Sequence, residues 1–167
     1  MVEQDPLKVK VLGSIPRRLI FSRLSYLKKK RYTIIGHTAD IGVAVEADDL
    51  AGVFVNAARA MFDIMAERRA SSLRSSRETI NVRLSAEKED ELLVLWLNEL
   101  LSLSATRGLI FVEYLVNRVD GHDLDISVIG EQRAHYRFKA EIKAATYNDL
   151  ELLHGASSYT AKVIFDV

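Results

Sequence analysis

Two stretches of this chain repeat their apolar residues at helical spacing, while most other patterned stretches alternate. That contrast limits the folds open to it. Leu50, Val53, Phe54, Ala57, Ala58, Met61, Phe62 and Met65 recur on one face of a helix, which predicts core packing and not a cofactor box. Asp48 or Asp49 can cap its start by accepting free backbone N–H groups. Glu89 to Ser104 predicts a second helix. One stripe is Leu93, Leu97, Leu100 and Leu101, and another is Leu92, Leu95, Trp96 and Leu103. Apolar residues on two sides predict a helix held between layers or under a loop.

The alternating stretches predict strands at Tyr32–Ile35, Ile41–Ala47, Thr79–Ala86, Leu109–Val116, Leu124–Val128, Tyr136–Ile142, Leu150–Leu153 and Lys162–Phe165. Asp120-Gly121 is a hairpin signal, since a primed turn needs positive φ. Polar residues 66–77, with four serines, read as a loop. Clustered strands with two helices predict an α+β fold: an antiparallel or mixed sheet with both helices packed on it.

A chain of 167 residues suits one domain, and 49% apolar residues supply a core. Cysteine is absent, which excludes disulfides, a thiolate zinc site and a cysteine nucleophile. No apolar run is long enough for a membrane helix, and the basic start lacks the features of a secretory leader, so the expected location is cytoplasmic.

The net charge of zero conceals an asymmetry. Residues 1–31 carry nine basic and two acidic side chains, +7, so residues 32–167 carry −7. Residues 1–30 read as a basic N-terminal extension and 31–167 as the folded domain. The extension is either an RNA-contacting arm or a loosely attached leader to the fold. The acidic domain is a poor direct ligand for phosphate backbones but suits cations or a basic protein surface.

Three places carry possible chemistry. The turn Gly36-His37-Thr38-Ala39-Asp40 gathers polar side chains where the chain reverses, although Thr and Asp often only bond their own turn. Lys143 follows the inward Ile142 and so points outward, as a solvated lysine or a working one. Tyr147 follows shortly, as a packing residue or a contact. At the end, Asp166 and the Val167 carboxylate are adjacent anions that repel each other unless a cation is near. They form either a frayed terminus or, with Asp40, a hard oxygen ligand set suited to Ca²⁺ or Mg²⁺. His37, His122, His135 and His154 show no metal-ligand spacing, and there is no phosphate loop, HExxH or nucleophile elbow.

Several separated segments together resemble the archease family. They are His37-Thr38-Ala39-Asp40-Ile41-Gly42, Ala60-Met61-Phe62-Asp63-Ile64-Met65, Leu93 to Leu101, Gly130-Glu131, Lys143-Ala144-Ala145-Thr146-Tyr147 and Val163-Ile164-Phe165-Asp166-Val167. The resemblance runs from about Tyr32 to the last residue. It implies a strand–helix–strand–strand α+β domain with a large insertion. It also implies a non-catalytic protein that activates a GTP-dependent RNA-splicing ligase of the RtcB type, promoting its guanylylation and multiple turnover in tRNA splicing and RNA repair.

The family's metal site maps onto Asp40, Asp166 and Val167, and its functional lysine onto Lys143. His37, Thr38, Thr146 and Tyr147 are expected as partner-facing residues, and RNA is expected only indirectly or through the basic arm. Gly36 stands where many members have Asp, and Asn148 where many have His. The basic extension is not a usual family feature. Rival readings are a modulator of an RNA methyltransferase or another interaction module, and an autonomous metal-dependent hydrolase.

Overall fold

The computed structural model describes residues 31–36, 40–70 and 76–167, and each strand pairing within them is antiparallel. The basic extension 1–30 and the turn residues His37, Thr38 and Ala39 lie outside the described residues. One sheet has four strands in the order β1 (Tyr32–Gly36), β2 (Asp40–Ala47), β9 (Tyr159–Asp166) and β8 (Ala144–His154). A second has three, in the order β4 (Arg77–Ser85), β6 (Asp123–Gln132) and β5 (Leu109–Val119). A small ribbon joins β3 (Ala66–Arg68) to β7 (Tyr136–Phe138).

Helices α1 (Leu50–Met65) and α2 (Glu89–Arg107) pack on the sheets, as expected for an α+β fold. Each helix contacts strands of both larger sheets, so one apolar cluster runs through the molecule. Phe54, Met61, Trp96, Leu97, Phe111 and Phe165 are almost wholly buried in it. Each contributes about 1.5–3 kcal/mol through burial.

Local chemistry explains most boundaries. Asp49 caps α1, accepting the Gly52 N–H at 2.7 Å. Asp48 is drawn away to Arg31 at 2.6 Å. In α2 both predicted stripes are buried except at Leu95 and Leu103, because the helix lies between layers. Its indole is satisfied within the core: Trp96 Nε1 donates to the Phe54 carbonyl at 3.0 Å. Glu89, Asp90 and Glu91 complement its N-terminal dipole, and Gly108 at φ 65° ends it in the left-handed region. The β5–β6 hairpin turns through Gly121 at φ 89°. Asp120 accepts the His122 and Asp123 N–H groups there, which with Arg118 holds its carboxyl down at about 2.

Three expectations are corrected. Polar residues 66–77 are not all loop, because Ala66–Arg68 pairs with Tyr136–Phe138. The strand predicted over Tyr136–Ile142 stops at Phe138. Beyond it, Lys139 and Ala140 turn their N–H groups to the Met65 carbonyl at 2.9 and 3.4 Å, satisfying an otherwise orphan group at the end of α1. The short run Leu150–Leu153 belongs to an 11-residue strand that begins at Ala144.

Candidate functional site

Strand alternation fixes what one end of the four-stranded sheet presents. In β2, Val43, Val45 and Ala47 are buried toward the helices, so Asp40, Gly42 and Ala44 lie on the opposite face. In β9, Ala161, Val163 and Phe165 are buried in the same way, leaving Lys162 and Asp166 on that opposite face. The β2–β9 register pairs Asp40 with Asp166, and the β8–β9 register pairs Ala144 with Asp166. The two aspartates are therefore cross-strand neighbours on one face. Cβ atoms so placed lie about 4.5–5.5 Å apart, and like charges there repel.

Lys143 enters this arrangement twice. Its backbone N–H donates to the Asp166 carbonyl at 2.9 Å, continuing the ladder past the end of β8. Its side chain Nζ donates to a main-chain oxygen of Val167 at 3.0 Å. Ile142 is buried and Lys143 exposed, as expected, although these residues are not in a strand. Val167 is half-buried against the core. The structure thus brings together Asp40, Asp166, Val167 and Lys143.

Thr146 and Tyr147 lie further along β8. The Thr146 hydroxyl donates to the Ile164 carbonyl at 3.1 Å and accepts from the Asn148 N–H at 3.3 Å. Thr146 therefore shapes the strand. Tyr147 is 58% exposed. His37 and Thr38 lie outside the described residues.

Asn98 was not singled out by sequence reasoning. From α2, its side chain grips the backbone of Ala145: Nδ2 donates to the carbonyl at 3.0 Å and Oδ1 accepts the N–H at 2.9 Å. This two-point bond locks the register of the strand that carries Lys143 and Tyr147. The available signal was a polar residue inside the apolar run Leu95-Trp96-Leu97-Asn98-Glu99-Leu100. Glu131, quoted only within the Gly130-Glu131 segment, was given no structural role there. It is 1% exposed and bonded by Arg68, Arg77 and the Tyr136 hydroxyl. It joins β3, β4, β6 and β7 and lies among residues lining a cleft of about 770 Å³ that Asp40 does not line.

Among the described residues, no group of three or more His, Cys, Asp or Glu side chains is placed to hold a metal. The expected ligand set does not need one, since it has two such side chains and draws its third donor from Val167. Among the described residues, no helix is long and apolar enough to cross a membrane.

These features define a class: a small antiparallel α+β protein whose paired acids sit at the end of one sheet. The chain belongs to the archease family, since the model of the Archease protein family (MTH1598/TM1083) matches residues 32–167. It is 35% identical over 144 residues to the protein archease of Methanosarcina acetivorans, covering 83% of this chain and 97% of that one. It is 34% identical over 143 residues to the protein archease of Methanothermobacter thermautotrophicus, covering 83% of this chain and 99% of that one.

The fold matches the solution structure of Methanobacterium thermoautotrophicum protein 1598 with a TM-score of 0.66 at 30% identity, over 83% of this chain and 100% of that one. It also matches the crystal structure of a Thermotoga maritima archease, described as a possible chaperone. There the TM-score is 0.56 at 19% identity, over 80% of this chain and 94% of that one. The second likeness bears on fold alone.

Proposed function

We propose that this protein is an accessory factor that activates an RNA-splicing ligase of the RtcB type, promoting its guanylylation and multiple turnover, and is not itself the catalyst. The observation that carries the reading is the pairing of Asp40 with Asp166 on adjacent strands, with Lys143 bonded beside them to Val167. Folding alone gains nothing from opposing two carboxylates. The arrangement makes sense if a cation or a positively charged partner surface completes it.

The donors fit a hard divalent cation, Ca²⁺ or Mg²⁺, because all are oxygens: Asp40, Asp166 and the Val167 carboxylate. Such an ion, when bound, would offset the carboxylate repulsion and offer a charge to phosphate oxygens. The chain's own residues do the rest. Asp40 and Asp166 form an acidic point, Asn98 fixes the strand beside it, and Lys143 balances part of the charge or meets a phosphate. Nucleotidyl transfer depends on positioning and charge compensation, which such a point can adjust from outside the ligase. The acidic domain, −7 over residues 32–167, favours a protein surface over direct RNA contact. A cytoplasmic setting accords with this role.

The test is a time course of ligase guanylylation with GTP and metal, with and without this protein. The wild type is expected to speed the reaction and sustain turnover. Asp40→Ala, Lys143→Ala and removal of Asp166-Val167 are expected to return it to the rate of ligase alone while remaining folded. Nucleotide hydrolysis by this protein in the absence of ligase would overturn the accessory reading.

A further inference from the structure

Between Thr146 and Glu151 the β8 strand leaves its ladder. On β9, the partners of these two residues are Ile164 and Lys162, so only Val163 separates them. On β8, Tyr147, Asn148, Asp149 and Leu150 occupy the same interval. Four residues oppose one, and the surplus must stand out from the sheet. The extrusion is anchored at several points. Thr146 bonds Ile164 and receives the Asn148 N–H. Asp149 Oδ2 accepts from Lys162 Nζ at 3.1 Å. Leu150 packs against the core.

Asp149 has φ 50°, the one non-glycine residue with positive φ among the described residues. Such a conformation is uncommon and persists where its surroundings enforce it, often at functional sites. Tyr147 heads this pinned bulge with 58% of its surface exposed, and no hydrogen bond or ring contact engages it among the described residues. A fixed backbone that holds a large aromatic side chain out of contact fits a preorganised anchor, since aromatics at protein interfaces contribute most when little ordering remains to be done.

We infer that the β8 bulge is a recognition finger, with Tyr147 inserting into an apolar pocket on a basic protein surface while the Asp40–Asp166 pair engages beside it. The inference rests on the accessory reading above. Ala144, which opposes Asp166, lies three residues before Tyr147, about 10 Å along a strand. An ordinary contact patch of about 800 Å² per partner spans that separation at the sheet edge.

Charge selects the kind of partner. Asp40, Asp149, Glu151 and Asp166 stand along this end and edge of the sheet against Lys143 and Lys162. Lys162 is bonded to Asp149, so that pair offsets itself, and Lys143 is bonded to Val167, which leaves Asp40, Glu151 and Asp166 as the acids facing outward. A nucleic acid stacking its base on Tyr147 would bring phosphates to these acids, which opposes binding. A basic protein surface gains from them.

The test measures equilibrium binding of the full chain to the purified RtcB-type ligase. Tyr147→Ala should weaken it by about tenfold or more with an unchanged melting temperature, while Tyr147→Phe stays within about threefold, because the ring and not the hydroxyl fills the pocket. Asp166→Asn should also weaken binding. If Asp166→Asn weakens binding and Tyr147→Ala does not, the finger is overturned and the accessory reading stands. If neither variant differs from wild type, both are overturned. Binding of single-stranded RNA by the wild type that Tyr147→Ala abolishes would overturn the protein-partner assignment.

Discussion

Acids are handled in opposite ways at two places in this molecule. Glu131 is buried, and its charge is answered within the chain: Arg68, Arg77 and the Tyr136 hydroxyl all bond to it. Asp40 and Asp166 are placed side by side at the end of a sheet, with the nearby Lys143 side chain bonded to Val167. The first arrangement pairs its charge within the chain and ties four strands together. The second sets two like charges side by side across adjacent strands. The contrast separates a residue bonded into the fold from residues that we assign, as a proposal, to an outside partner.

Breaking the closed cluster should have the largest effect on stability. Glu131→Ala removes the buried carboxylate that ties four strands, but Arg68 and Arg77 stay about half-exposed and Arg77 keeps Glu113, so it should cost about 2–3 kcal/mol in urea unfolding. Ligase stimulation per folded molecule should be unchanged. A cost below about 1 kcal/mol would place the two regions on the same footing.

Alkaline pH probes the same cluster. Burial, reinforced by Glu131, pushes the Tyr136 hydroxyl up to about 12, above its ordinary value near 10. Its folded value is the raised one, so its contribution is whole below pH about 10 and fades as pH climbs toward 12. Tyr114, fully buried, is shifted upward as well and adds to the same decline. Tyr136→Phe should flatten part of the loss, by up to about 2 kcal/mol, in unfolding measured across this window.

Asn98→Ala lies between the two regions in character. It removes both bonds to the Ala145 backbone and should lower stability by about 1–2 kcal/mol. Unlike the Glu131 variant, it should also reduce ligase stimulation, since the strand carrying Lys143 loses its grip. The smallest stability effect belongs to the open site. Asp166→Asn relieves a like-charge contact and should leave unfolding within about 0.5 kcal/mol of wild type, or slightly improved.

The sequence carried the helices and most strands because their signals are periodic and local. The apolar stripe of Leu50 to Met65 and the Asp120-Gly121 turn need no distant information. It did not carry the end of β7 at Phe138, because the Met65 carbonyl that captures Lys139 and Ala140 is brought there by the fold. The β8 bulge was equally hidden, since four residues opposing one is a property of a pair of strands. At the candidate site, Asp40, Lys143, Asp166 and Val167 were legible as a motif set. Their convergence depends on β2 and β8 flanking β9, which no local pattern reveals. Asn98 and Glu131 fall within the quoted segments, but their partners at Ala145 and at Arg68, Arg77 and Tyr136 are brought near only by the fold.

The central claim is that Asp40 and Asp166 are held together for an outside partner and not for the fold. Asp166→Asn, assayed in one preparation for urea unfolding and for ligase guanylylation, tests it most directly. The predicted result is stability equal to or above wild type with stimulation lost. Full stimulation, or a loss of stimulation that only tracks a loss of folded protein, would contradict it.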